Sequence, residues 1–237
     1  MNIIITGASR GIGRGVASIF SENADNKIII ISRNKAKLEE LQRVCFEKNP
    51  DSTVIPIPFD LEAIYEKGKE LVERISTHMD HIDILINNAG FIKNVPFEQT
   101  TKEDAQKILI VNFLAPAHLI KLLLPLMGTP RSSHVVNISS MGGFQGSAKY
   151  SGISYYSASK AAIANLTECL AVELSEKLIS FNCLALGAVQ TEMLEEAFPG
   201  YIAPLSTHHM AEFVVDFAIK GNKYFNGKII PVSTSTP

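Results

Sequence analysis

Seven short runs rich in Ile, Val and Leu, separated by stretches of helical spacing, constrain this chain more than any other feature. The strand-like runs are residues 3–6, 27–32, 53–58, 82–87, 134–139, 180–186 and 228–232, and helical patterns occupy 12–22, 35–48, 61–78, 102–126, 155–177 and 209–219. Strands with so little polar alternation are buried on both faces, which happens in a parallel sheet covered by helices. The expected fold is therefore α/β: a doubly wound, Rossmann-like parallel sheet of about seven strands with helices on both faces, in a single domain over residues 1–237. Ligands in such folds lie at the carboxyl ends of the strands, near the point where strand order reverses.

Composition narrows the function. With 237 residues and 46% hydrophobic content the chain can bury one large core, and it shows no apolar run near the ~20 residues of a membrane span. A net charge of -2 leaves no electrostatic footprint for nucleic acid or an anionic membrane. No charged leader precedes the first strand, so a cytoplasmic location is expected. Cys45, Cys169 and Cys183 are too scattered for a disulfide framework, and Cys169 and Cys183 read as buried thiols. His208 and His209 lack a third ligand at useful spacing and are expected to face solvent, so no metal site is expected.

The strand ends carry the chemistry. The first runs into Thr6-Gly7-Ala8-Ser9-Arg10-Gly11-Ile12-Gly13, where glycines allow a tight turn into a helix and aim free backbone N–H groups at one point, a phosphate cradle. Taken alone, such a turn could also hold nothing. It lacks the Gly-Lys-Ser/Thr of nucleotide hydrolases, since Arg14 follows Gly13. Other strands end in Ser32-Arg33, Asp60-Leu61, Asn87-Asn88-Ala89-Gly90, Asn137-Ile138-Ser139-Ser140 and Leu186-Gly187-Ala188-Val189-Gln190-Thr191. Farther on, Tyr156 and Lys160 lie four residues apart, which on a helix stacks a phenol and an ammonium on one side. A cation held there favours the phenolate and lowers the tyrosine pKa toward proton-transfer chemistry; Tyr155 has only Ser159 at that spacing. The same spacing also describes a solvated helix face.

In their order and spacing, Thr6 to Gly13, Asn87 to Gly90, Asn112, Ser140 and Tyr156-x-x-x-Lys160 resemble the short-chain dehydrogenase/reductase family of the classical type, over almost the whole chain. The resemblance implies a nicotinamide-dependent oxidoreductase. Ser140 would hydrogen-bond the substrate oxygen, Tyr156 would deliver the proton, Lys160 would tune the tyrosine and bind the nicotinamide ribose, and Asn112 would hold a water that reloads Lys160. It further implies cofactor contacts from Gly7, Ser9, Arg10, Gly11, Ile12 and Gly13, adenine contact by Asp60 and Leu61, and a ribose backing from Asn88, Ala89 and Gly90. Gly187, Val189 and Thr191 would meet the nicotinamide end.

The second strand ends without the Asp or Glu that would accept from a ribose 2′-hydroxyl; Arg33, with Arg10 and Ser9 or Ser32, suits a 2′-phosphate instead. NADP(H) is the expected cofactor, with NAD(H) the lesser fit. Phe91, Phe144, Met193 and Leu194 suggest an apolar pocket for an uncharged carbonyl or alcohol, with the loop from Ser140 to Tyr156 as one wall. Leu186 replaces the family's usual Pro, the short stretch after Thr191 suggests a small or open lid, and the Pro-Val-Ser-Thr-Ser-Thr-Pro ending lacks the family's acidic and glycine residues. Two Ala- and Leu-rich helices, 102–126 and 155–177, suggest a homodimer or homotetramer. NAD-linked alcohol oxidation and a non-catalytic NADP(H)-binding sensor are the competing functions.

Overall fold

The computed structural model describes residues 1–234, so the last three residues of the C-terminal motif lie outside the described residues. Strands β1 (Asn2–Thr6), β2 (Lys27–Ser32), β3 (Thr53–Pro58), β4 (Ile84–Asn87), β5 (Ser133–Ser140) and β6 (Ile179–Leu186) match the sequence reading to within two residues at each end. Helices α1 (Gly11–Phe20), α2 (Lys35–Lys48), α3 (Ile64–Ser76), α4 (Lys102–Leu109), α5 (Ala115–Leu123) and α6 (Ser154–Glu173) alternate with them. A two-residue strand β7 (Val189–Gln190), helix α7 (Glu192–Ala197), a two-residue strand β8 (Leu205–Ser206), helix α8 (Thr207–Lys220) and strand β9 (Lys228–Val232) complete the order.

Seven strands pair in parallel in the order β3-β2-β1-β4-β5-β6-β9, while β7 and β8 form a separate pair. Order reverses between β1 and β4, the switch point that opens a crevice at the strand ends. The period-two side-chain direction of the strands splits the core in two. Ile3, Ile5, Ile28, Ile30 and Ile86 pack on one face with α1, α2 and α8; Ile4, Ile29, Ile31, Leu85 and Phe181 pack on the other with α3, α5 and α6. Each fully buried Ile is worth about 1.5–3 kcal/mol, so these two layers hold the crevice edges still. Single Rossmann-like architecture is thus observed as expected.

Three expectations are corrected. The helix expected over 102–126 is not one regular α-helix: a π-helical turn, Ile110–Leu114, carries Asn112 between α4 and α5, and β-branched and polar side chains at that point give no periodic signal of the change. The stretch Lys102–Leu126 is also long and apolar enough, by length and composition, to cross a membrane, although no apolar run of that size stands out in the sequence. Four of its five charged residues sit near its start and Lys121 near its end, and its inner face, Leu119, Ile120 and Leu123, is buried in the second core layer. Cys169 is exposed on α6, whose buried side runs through Ile163, Ala164, Thr167 and Ala171; Cys45 and Cys183 are buried.

One buried group makes the fold sensitive to acid. His134 on β5 donates from Nδ1 to the Ala218 carbonyl (2.9 Å), so its Nε2 accepts from Asn182 Nδ2 (3.0 Å) and the ring is neutral. Burial pushes its pKa down to about 4. Because the unfolded ring takes a proton near its ordinary 6.5 while the folded ring does not, the loss begins below pH 6.5 and grows to roughly 3 kcal/mol as pH falls to the folded value. In an NMR titration the His134 ring is expected to remain neutral at pH 5.5; a proton bound there would overturn the assignment.

Candidate active site

The Gly turn and the end of β4 are clasped together. Thr6 Oγ1 accepts from the Asn88 and Ala89 amides (both 3.1 Å), and Asn88 Nδ2 donates back to the Thr6 and Gly7 carbonyls (3.1 and 3.2 Å). Gly7 has φ +70° and a side chain there would lie 2.7 Å from Ala89 Cα, so only glycine fits. Gly13 is closed in as tightly: a Cβ would sit 2.4 Å from Asn88 Nδ2 and 2.6 Å from the Gly7 oxygen. Its place is behind the turn, letting α1 approach β4.

Above the clasp runs one crevice of about 670 Å³ along the strand ends. Gly7, Ser9, Arg10, Gly11, Ile12, Arg33, Asp60, Leu61, Asn88, Ala89, Gly90, Ser140, Tyr156, Lys160, Gly187, Val189 and Thr191 all line it. Gly13 and Asn112 do not. Asn112 stands behind the wall, its Oδ1 accepting from the Phe91 amide (2.7 Å) and its Nδ2 donating to the Phe91 carbonyl (2.8 Å) and Ser159 Oγ (3.0 Å). Its amide thus ties the loop after β4 to α6. Phe91, Met193 and Leu194 line the crevice as expected, but Phe144 does not; Tyr150 and Ile153 of the same loop supply that wall. His208 and His209 are exposed, and no group of metal-ligating side chains occurs among the described residues.

Tyr156 and Lys160 lie on the first turns of α6, facing Ser140 at the end of β5. Ser140 stands close enough to Tyr156 to draw the phenol's pKa down, and both line the crevice. The Lys160 ammonium is 5.8 Å from the Tyr156 ring centre and donates to the Ile138 carbonyl (2.8 Å). Lys160 is 4% exposed, which excludes the solvated helix face. Tyr155, by contrast, stacks on Phe97 outside the crevice. The expected acidic tyrosine is corrected, however. Protein atoms crowd Tyr156 so closely that desolvation raises its pKa, opposed only by the Ser140 hydrogen bond, and the same burial pulls Lys160 down to about 8. A phenol held protonated is a proton donor in waiting.

The two arginines read as free for a phosphate are already engaged. Arg33 Nη1 contacts Glu62 Oε1 (3.2 Å), which also meets Lys107 Nζ (2.9 Å). Arg10 forms a two-pronged pair with Glu196 of α7, one prong being Nη2 to Oε2 at 2.9 Å. Neither carboxylate was legible as a partner, because Glu196 is far away in sequence and Glu62 is in a different element. Lys37 and Ser32 also line this end, and Ser32 Oγ is buried without a hydrogen-bond partner. The glycine clasp, this orphaned hydroxyl and three cations fit the phosphates of a nicotinamide dinucleotide.

Helix α7 lines the crevice with Glu192, Met193 and Leu194. Thr191 caps it by accepting from the Leu194 amide (3.2 Å), and Asn94 Nδ2 of the opposite rim donates to the Ala197 carbonyl (2.8 Å). The short stretch after Thr191 thus forms helix α7, held on both sides of the crevice. After Leu186, which stands in place of the expected proline, the Gly187 amide donates to the Val232 carbonyl (2.9 Å), so β9 holds the chain at this point.

Comparison with known proteins agrees with this geometry. The family model described as short chain dehydrogenase matches residues 1–201. A fatty acyl-CoA reductase of Acinetobacter baylyi is 29% identical over 224 residues, covering 93% of this chain and 73% of that protein. A mouse dehydrogenase/reductase SDR family member 7B is 32% identical over 196 residues, covering 81% of this chain and 58% of that protein. Among solved structures, a short chain dehydrogenase from Shigella flexneri complexed with NADP superposes with TM-score 0.88 at 25% identity, covering 97% of this chain and 95% of that one. With its fold, its strand-end crevice and the family match over most of its length, the chain belongs to the short-chain dehydrogenase/reductase family of oxidoreductases.

Proposed function

We propose that this protein reduces an uncharged, largely apolar carbonyl compound with NADPH, Tyr156 supplying the proton. The observation that carries the reading is that Ser140, Tyr156 and Lys160 line the same crevice as the Gly clasp, with the Lys160 ammonium 5.8 Å from the Tyr156 ring centre. The dinucleotide supplies the hydride. Ser140 is placed to hydrogen-bond the substrate oxygen, where negative charge grows, and Tyr156 to protonate it. Lys160 contributes a positive charge that steadies the tyrosinate left behind. Its low pKa also lets it pass on a proton near neutral pH.

With its phenol protonated, Tyr156 starts in the state that carbonyl reduction needs. For the cofactor, Arg10, Arg33 and Lys37 gather at the end of β2, and Ser32 offers an unpartnered hydroxyl; the Shigella flexneri neighbour was solved with NADP. For the substrate, Phe91, Ile153, Met193 and Leu194 form an apolar stretch beside Ser140, and the Acinetobacter baylyi relative is a fatty acyl-CoA reductase. Asn112 acts here as a positioning residue. The exposed side of Lys102–Leu126 and of α6 favours a homodimer or homotetramer, and a cytoplasmic location fits the composition.

Absorbance assays with NADPH and a carbonyl panel test the reaction. Tyr156→Phe should lower turnover by at least about a hundredfold while NADPH binding persists; undiminished turnover would end the proton-donor role, and tight NADPH binding with no turnover of any panel compound by the wild type would favour a sensor. Arg33→Ala should weaken NADPH by about tenfold and leave NADH unchanged. Equal losses for both would remove the case for a 2′-phosphate. The pH profile has a definite sign: kcat/KM for reduction should fall as pH rises through about 8, where Lys160 loses its charge, and a profile flat to pH 10 would exclude the lysine's part.

A further inference from the structure

Helix α7 turns an acidic side toward the phosphate end of the crevice. Glu192 and Glu196, one helical turn apart, both face the Gly turn: a Cβ on Gly11 would be 3.8 Å from Glu192 Oε2, and Glu196 holds Arg10 with both oxygens. The opposite side of the same short helix supplies Met193 and Leu194 to the crevice wall, and its last carbonyl is tethered to Asn94. The lid is thus pinned at both rims, by a neutral hydrogen bond on one and an ion pair on the other.

The ion pair is the contact that a ligand can exchange. Arg10 lies on the Gly turn with Arg33 and Lys37 lining the same end, so a phosphate dianion arriving there meets Glu196 as a rival for the same guanidinium fork. A carboxylate and a phosphate cannot share that fork without strong like-charge repulsion. The pairing shifts both groups in the sense that favours their charges, Arg10 upward and Glu196 downward, each chiefly through their mutual hydrogen bond. Both partners are partly solvated, so the pair is weak enough to yield.

We propose that Glu196 is a cofactor-selectivity residue that occupies Arg10 in the empty protein and cedes it to a 2′-phosphate, so that the 2′-phosphorylated dinucleotide releases lid helix α7 where the unphosphorylated one does not. This rests on the NADP(H) reading above. Binding and opening are thereby coupled through one guanidinium, with the Asn94 hydrogen bond to the Ala197 carbonyl left in place.

Calorimetric titration of the full chain with NADPH, NADH, 2′,5′-ADP and ADP, together with hydrogen exchange over residues 190–204, tests it. Glu196→Gln should tighten NADPH and 2′,5′-ADP by about two- to fivefold, the range of a partly exposed ion pair, and leave NADH and ADP unchanged. In the wild type, 2′,5′-ADP should speed amide exchange in α7 and ADP should not; in Glu196→Gln that exchange should be fast before any ligand is added. Equal gains for NADPH and NADH would mark a general charge effect and overturn the proposal, as would α7 exchange that ignores both the substitution and 2′,5′-ADP. The failure of the parent reading looks different: wild-type protein binding NADH as tightly as NADPH would refute the NADP(H) assignment, even if ligand-free Glu196→Gln still loosened α7.

Discussion

The clasp between Thr6, Gly7 and Asn88 is the constraint on which the site depends. At a switch point the two neighbouring strands send their connections to opposite faces of the sheet, and nothing in the β-ladder itself keeps their ends together. Here four hydrogen bonds cross the gap, two accepted by the Thr6 hydroxyl from the Asn88 and Ala89 amides and two donated by the Asn88 side chain to the Thr6 and Gly7 carbonyls, and two glycines remove the side chains that would force it wider. Backbone N–H groups of the turn are thereby aimed at a fixed place.

A second line of buried polar groups does the same for the other end of the crevice. Asn87 donates to Asn137 (2.8 Å) and Asn137 to Thr167 (2.9 Å), linking β4, β5 and α6 through their interiors. Asn112 adds a link from the π turn to Phe91 and Ser159. Amides buried this way are costly unless satisfied, so each restricts the helix or strand that carries it to one position. That restriction is what brings a phenol on α6 to a serine on β5. Desolvation acts on both groups in the same sense: it disfavours the phenolate of half-buried Tyr156 and the ammonium of buried Lys160.

Over the opposite rim the balance is one of exposed charge. Arg10, Arg33 and Lys37 are offset by Glu62 and Glu196, which take the place that an anionic ligand would claim. The crevice is thus held by buried amides at one end and by partly solvated ion pairs at the other.

Much of this was legible in the residues. Strand runs of Ile, Val and Leu announced the parallel sheet, because burial on both faces erases polar alternation; Gly7, Gly11 and Gly13 announced the turn, because only glycine tolerates those contacts and angles; and Tyr156 and Lys160 announced their shared side of α6 through spacing alone. Local chain geometry is enough for such features, since they depend on neighbours within a few residues. The π turn at Asn112, the outward Cys169, the displacement of Phe144 by Tyr150 and Ile153, and the capture of Arg10 and Arg33 by Glu196 and Glu62 depended on the packed molecule. Their partners are distant along the chain, and a carboxylate 186 positions away meets an arginine only when the lid helix has been folded across the sheet. So, too, for the direction of the Tyr156 shift: spacing shows that a lysine is near, but only the solvent left around both groups decides whether attraction or desolvation prevails.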